Sequence, residues 1–555
     1  MDYAQGRIGY DNINDSRFKV TPTGTADSSN GAGGLDEQST AQQYEINYDV
    51  LFGVKHDIVK DLLSFDFTGG GNIRKNSLTS TSLSGGPFIL PYFYSYSNLQ
   101  TKNAANYTFN QREVHSAYYT ADFSIKNYLI LSTTGRYDTY STLYPVVIKG
   151  NGELFTPSAA ASFIFSEFTH LSWLDFGKLR VSYAKTSGQP LDTYITQQYY
   201  NINNPVNGTV TGGFSNVLPN YFLKPFTLTE TEIGTELKFL NGRAGLDFAY
   251  FRRKTKNDIL KGTLDVAAGY GTRYIGTQSF QNNGVEVELR GTPVQTSSFS
   301  WSPSINFTYV KNKVLTTDDL GTTQTLGTYR PLNANLAFVP GLPGPQIMAT
   351  DFKRNASGQV IFDSNGLPES DGVRTPHGTT VPKIYGGLNN DFSFKHINLS
   401  FLVDYRFGNK ILSATNYYSM YRGLNKATLP GREGGVVGDG VTEDGQKNTK
   451  AVDAETYYQA QAQRVSAMNV LDGSFIKLRQ VTLGYTFTKG FLTGTPFSGI
   501  AISLVGRNLW TIMKHTNNID PESGFANNVA YAGIEGTSLP SVRTYGINVN
   551  FKLKK

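Results

Sequence analysis

Strict alternation of apolar and polar residues, in a chain with no apolar run long enough to form a membrane helix, limits what this sequence can fold into. In the stretch SFIKLRQVTLGYTF (474–487), Val481, Leu483, Tyr485 and Phe487 alternate with Gln480, Thr482, Gly484 and Thr486. This is the period-two signature of a β-strand whose one face avoids water. Ile233, Thr235, Leu237 and Phe239 alternate with Glu232, Gly234, Glu236 and Lys238. After Asn241-Gly242 the same happens with Ala244, Leu246, Phe248 and Tyr250 against Arg243, Gly245, Asp247 and Ala249. An Asn-Gly pair between two such runs is a strong hairpin signal. Val285, Val287 and Leu289 oppose Glu286, Glu288 and Arg290. Ile397 to Phe407 alternate with Asn398, Ser400, Leu402, Asp404 and Arg406, and Tyr545, Ile547, Val549 and Phe551 close the series against Thr544, Gly546, Asn548, Asn550 and Lys552.

The connections carry the next constraint. Brief ones are expected near Lys126-Asn127, 169–177, Asn241-Gly242, 292–298, Lys395-His396 and 488–499. Long ones are expected over about 139–157, 188–228, 254–281, 312–383, 408–473 and 510–541. Short follows long throughout. In an up-and-down antiparallel sheet, this rhythm sends every long connection to one edge, the asymmetry of transmembrane barrels with short periplasmic turns and long extracellular loops. A Greek-key sandwich has no reason to sort its loops so strictly. Roughly 16 strands result, many near the ~9–11 residues that cross a bilayer at a tilt. The fold class expected is therefore all-β, an antiparallel up-and-down transmembrane barrel. Its apolar strand faces turn to lipid and its charged faces line a wet interior. Tyr485, Phe487, Phe407, Trp510 and Phe551, near strand ends, would form interfacial girdles.

Composition agrees and excludes alternatives. Aromatic residues make up 13% of the 555 residues, with 34 Tyr, 35 Phe and 57 Gly, and the mean hydropathy is −0.32. The net charge of +6 is spread thinly, without the dense basic run that grips nucleic acid backbones, so no nucleic acid partner is expected. Cysteine is absent, which rules out disulfides, thiolate metal sites and cysteine nucleophiles. The first residues, MDYAQGRIGYDN, lack the basic and apolar regions of a secretory leader.

Several stretches, in order, resemble the barrel of SusC/RagA-type TonB-dependent transporters. They are KLRVSYAKTSG (178–188), LTETEIGTELKFLNGRAGLDFAYFRRKTKNDIL (228–260), NNGVEVEL (282–289), VPKIYGGLNNDFSF (381–394), DGSFIKLRQVTLGYTF (472–487), GRNLW (506–510), DPES (520–523) and SLPSVRTYGINVNF (538–551). The resemblance implies a 22-stranded outer-membrane barrel with an N-terminal plug, a TonB box engaged by the TonB complex, and a SusD-like surface lipoprotein over the extracellular mouth. It implies import of an oligosaccharide or oligopeptide, transport without catalysis, and no cofactor. The whole of 1–555 would be barrel, matching about the last 16 strands of that pattern. Plug, TonB box and first strands have no counterpart in it.

Few residues suggest chemistry. The six histidines, at 56, 115, 170, 377, 396 and 515, show no ligand spacing, so neither a metal nor a catalytic site is expected. GYGTRYIG (269–276) has no strand-to-helix context for binding phosphate, and no G-x-S-x-G is present. In Asp520-Pro521-Glu522-Ser523 a turn capped by Asp is favoured over a Ca²⁺ loop, which would need more oxygens. The segments TQQYYNINN (196–204) and NYYSMYRGLN (416–425) place Tyr199, Tyr200, Tyr417, Tyr418, Tyr421 and Arg422 beside amides. Flat rings of this kind stack on sugars or peptide side chains, or else pack loop on loop. These six are the candidate ligand or lid contacts; Asp404, Arg406, Glu286, Glu288 and Arg290 are the candidate lumen-facing residues. Other functions open to the residues alone are a passive outer-membrane pore and a soluble multi-β-sandwich adhesin or lectin.

Overall fold

Alternation becomes hydrogen-bonded ladder in long strands that recur from Asp2 to Leu553. The computed structural model describes residues 2–25, 31–126, 128–144, 152–169, 171–188, 193–206, 209–318, 320–329, 332–487, 489–526 and 528–554. Asn127 and His170 lie outside the described residues. Among those described, eighteen strands share one sheet, two of them only two residues long. The sixteen long ones are β1 (Asp2–Thr21), β2 (Gly34–Val59), β3 (Leu63–Gly85), β4 (Asn106–Ile125), β5 (Leu129–Tyr140), β6 (Glu153–Ile164), β7 (Leu174–Gly188) and β8 (Phe226–Phe239). They continue with β9 (Ala244–Thr263), β10 (Thr272–Gly291), β11 (Phe299–Thr316), β12 (Ile384–Phe394), β13 (Ile397–Phe407), β14 (Phe475–Phe487), β15 (Phe497–Lys514) and β16 (Thr544–Leu553). Successive strands pair antiparallel from β1 to β5 and from β10 to β16.

The rhythm of connections is as expected, with one exception. Between 254 and 281 a long loop was anticipated, yet β9 runs to Thr263 and β10 starts at Thr272, leaving only 264–271. The apolar signal stops at Tyr250 because Arg252, Lys254 and Lys256 occupy the following positions of that face. Backbone hydrogen bonds do not need apolar side chains, so the strands outrun their pattern. At the Asn241-Gly242 turn both residues adopt the left-handed conformation, with φ of 58° and 76°, which Asn and Gly tolerate best.

Two compact units divide the chain. The first comprises 1–161, 182–229 and 257–276, the second 162–181, 230–256 and 277–555. In the first, a small core gathers Val114, Tyr140, Leu143, Ile195 and Leu223, and another Leu35, Phe88 and Leu99. The second has the larger core, and it is not under the sheet. Leu332, Leu336, Ile347, Phe362, Leu412, Tyr417, Tyr457 and Ile534 pack together, drawn from the connections 317–383, 408–474 and 515–543. These three segments form a folded cap with two helices, α1 (Ala414–Tyr421) and α2 (Ala454–Arg464), capped by the Ser413 and Asp453 side chains.

The sheet's two faces differ in kind. Leu399, Leu483, Leu504 and Ile547 lie directly opposite one another across four strands. Leu483 is 48% exposed, Leu504 54% and Ile547 71%. Leaving such a side chain in water forgoes about 1.5–3 kcal/mol of burial each, and a contiguous band of them marks a surface meant for an apolar neighbour. Toward the short-turn edge the band ends in aromatic rings: Trp301 stacks on Phe392 at 6.0 Å, Tyr485 meets Phe487 at 4.8 Å, and Phe497 meets Phe551 at 5.2 Å.

Candidate functional site

The opposite, polar face is built from ion pairs spaced along alternate residues. In the first unit, Arg136 reaches Asp138 at 2.7 Å and Ser116 at 2.6 Å, while the Tyr118 hydroxyl donates to Asp49 at 2.6 Å. In the second, Arg180 of β7 bridges Glu232 of β8 at 3.0 Å and Asp247 of β9 at 2.7 Å, and Lys178 holds Glu236 at 2.9 Å. Glu286, Glu288 and Arg290 of β10 stand opposite Thr308, Asn306 and Ser304 of β11, with Arg290 3.6 Å from Glu288. Charges on three consecutive strands thus satisfy one another sideways, which makes a stiff hydrated wall.

A denser network sits where β14 meets the last long connection. Against β13 the ladder register shifts, with the adjacent Leu402 and Val403 opposite Gln480 and Leu478, leaving Arg479 as the extra residue of a bulge, a device that re-aims a side chain. Arg479 donates to Asp404 of β13 at 2.6 Å and twice to Glu522 at 2.9 Å. Lys477, its side chain only 5% exposed, donates to Asp520 at 2.6 Å and Glu522 at 2.7 Å. Arg406 lies 3.8 Å from Glu522, its guanidinium over the Phe475 ring. Asp404 and Arg406 therefore belong to a latch that fastens the segment 520–523 to the strand wall. Burial by itself would raise the Asp520 carboxyl, but the bonds from Lys477 and Ser541 outweigh it and hold Asp520 far below the usual carboxylate range. Glu522, also buried, is likewise held down by Arg479 and Lys477.

The motif Asp520-Pro521-Glu522-Ser523 is thus the expected Asp-capped turn, its Asp520 carboxylate accepting from the Glu522 amide at 3.1 Å, and an ion-pair clamp besides. No group of metal-ligating side chains occurs among the described residues. Lys477 and Arg479 escaped the sequence reading. The available signal was the break in alternation just before Val481, where two cations follow Phe475 within a strand.

The candidate contact residues divide. Tyr417 was expected to be exposed but is 4% exposed, inside the cap core with Ala414 and Met420. The segment is helical, and spacing of three puts these residues on one buried face. Tyr418, Tyr421 and Arg422 remain nearer the surface. Tyr421 stacks on Tyr417 with ring centroids 5.8 Å apart, and the Arg422 guanidinium lies 5.4 Å from the Tyr421 ring centre. Tyr421 and Arg422 line a cleft of about 450 Å³ with Arg432, Asp453, Tyr458 and Gln459. Tyr199 and Tyr200 fall elsewhere, in the first unit, at the start of a separate two-stranded hairpin (Tyr200–Val206 with Thr209–Phe214) where Tyr200 packs on Phe214 at 4.7 Å.

Comparison with known proteins gives concordant results. Residues 2–344 match the family described as TonB dependent receptor-like, beta-barrel. TonB-dependent receptor P3 of Formosa agariphila is 24% identical over 501 residues, covering 82% of this chain and 48% of the relative. TonB-dependent receptor SusC of Bacteroides thetaiotaomicron is 24% identical over 469 residues, 78% of this chain and 43% of its own length. The chain spans about half the length of the curated relatives it matches. Among solved structures, the RagAB peptide transporter superposes over 99% of this chain and 60% of that chain, with a TM-score of 0.77 at 16% identity, a likeness of fold.

Proposed function

This chain belongs to the TonB-dependent receptor-like β-barrel family, and from that membership we propose that it serves in the import of an oligosaccharide or oligopeptide across the bacterial outer membrane, where proteins of this family reside. Its strands make the wall: the apolar band meets lipid, and the ion-paired face, with Glu286, Glu288, Arg290, Asp404 and Arg406, meets water. A SusD-like lipoprotein closes over the long-connection edge, and the TonB complex supplies energy through a plug. Tyr199, Tyr200, Tyr418, Tyr421 and Arg422 offer rings and one guanidinium to cargo or lid, while Tyr417 supports Tyr418 and Tyr421 from the cap core. The RagAB likeness favours peptide cargo; the flat tyrosines suit sugars equally well.

The observation that carries this reading is the cap. Three long connections at one edge share a single apolar core and are latched to the wall by Lys477 and Arg479. An open diffusion pore has no use for such a cap. The test is uptake of labelled oligopeptides and oligosaccharides by cells expressing the full protein, with and without a protonophore. Import predicts accumulation that stops when the proton gradient collapses. Accumulation indifferent to the protonophore, together with steady conductance in planar bilayers, would establish a passive pore instead.

A further inference from the structure

On β11 the face bearing Ile305, Phe307 and Tyr309 continues with Lys311 and Lys313, both exposed. The band that ends in Tyr309 therefore gives way to two ammonium groups just before the connection to the cap. Lys311 stands opposite Asn283 and Lys313 opposite Gln281 of β10. Arg252 of β9 donates to Gln281 at 3.3 Å, so the cationic row reaches a third strand. On the other side of β11, the β12 ladder begins only at Ile384, opposite Tyr309. Beyond that point residues 341–343 and 379–383 flank β11 instead. They leave a recess of about 370 Å³ lined by Tyr309, Lys311, Lys313, Pro343, Thr379 and Lys383. Among the described residues no carboxylate lies within ion-pair distance of these three lysines. Elsewhere in this unit, by contrast, Lys178, Lys238, Lys353, Lys410 and Lys477 are each paired with a carboxylate.

Three like charges around one recess repel unless an anion joins them. A tyrosine at the end of an apolar band marks the depth where acyl chains meet head groups, and lysines there extend their charge toward the polar layer. A phosphate ester, compact and multiply accepting, suits lysines carried on two backbone segments that line one recess. We propose that the recess between residues 309–313 and 379–383 holds the phosphate of an anionic lipid from the leaflet on the long-connection side. The inference rests on the lipid-facing assignment of the apolar band and on no assumption about cargo. It gives the cap's base an anchor in the membrane surface, because 379–383 leads from the cap into β12.

The test is native mass spectrometry of the full protein, delipidated in neutral detergent and titrated with phosphatidylglycerol or phosphatidylcholine. The expected result is one phosphatidylglycerol site tighter than any for phosphatidylcholine. With about 1 kcal/mol for each basic residue at a membrane surface, each lysine contributes on the order of fivefold. The K311Q/K313Q/K383Q variant should thus lose roughly a hundredfold at that site and nothing toward phosphatidylcholine. The K311R/K313R/K383R variant should keep the preference, and K395Q, in the two-residue turn at the other edge, should leave it intact. Equal binding of the two lipids by the unmodified protein would overturn the proposal, whether or not the variants fold. Undiminished phosphatidylglycerol binding by a folded triple Gln variant would do the same, as would displacement by inorganic phosphate at matching concentration. A normal pattern of lipid-facing residues without lipid selectivity would sink this inference and leave the transport reading standing.

Discussion

Replacing Leu483 by Arg asks the apolar face to carry a charge. Leu483 lies in β14 four residues from Phe487, the last before the short-turn edge. At ~3.3 Å per residue and a tilt of ~45°, that is about 9 Å in from the edge. In an apolar belt about 25 Å tall, this depth is within a few ångströms of the midplane, where an Arg costs about 2–4 kcal/mol. Nothing nearby relieves it, since Leu399 and Leu504 are the cross-strand neighbours. Thr482, one residue away, stands between Ser400 and Val505 on the ion-paired face, and Thr482→Arg should change stability by no more than about 0.5 kcal/mol. Equilibrium urea unfolding from lipid vesicles would measure both. Equal losses, or a larger loss for Thr482→Arg, would refute the facing assignment.

Other expectations concern the cap and its latch. Lys477→Met leaves Asp520 and Glu522 without their shared cation, and breaking such a buried pair costs about 3–5 kcal/mol; limited proteolysis should then cut within 515–543 while the strands stay protected. Because the folded Asp520 and Glu522 titrate below their unfolded values, their contribution is fully present above the ordinary carboxylate range, about pH 4. It is lost as pH falls further, so hydrogen-exchange protection in 515–543, taken relative to the intrinsic exchange rate at each pH, should stay constant from pH 8 to 5 and fall only in stronger acid. Ile347→Ala, in the fully buried cap core, should cost about 2–5 kcal/mol and loosen residues 332–349 and 411–420 together in exchange measurements, without altering the ladder of β10 to β15.

What the sequence made legible was whatever repeats at short range. Alternation located β8, β9, β13, β14 and β16, and the Asn241-Gly242 turn and the lengths of most connections followed from it. The strand stretch 251–263 was hidden because its face turns from apolar to cationic while its backbone pairing goes on. The cap was hidden for a different reason. Its core joins Leu336 and Ile347 to Leu412, Tyr457 and Ile534, residues far apart in sequence that share no period, so NYYSMYRGLN read as an exposed aromatic loop when Tyr417 is core. Likewise Asp404 and Arg406 were recognisable as polar-face residues, but their partners Arg479 and Glu522 depend on a bulge and a distant turn that no local pattern announces.

The absence of cysteine offers the most direct test of which side is wet. Single cysteines placed one at a time from Gln480 to Phe487, in outer-membrane vesicles, would each be the one thiol in these 555 residues. The account predicts a period of two: positions 480, 482, 484 and 486 react with a charged, water-soluble maleimide, while 481, 483, 485 and 487 resist it and, once spin-labelled, are relaxed by oxygen dissolved in the lipid. The reverse pattern, or uniform reactivity at all eight positions, would contradict it.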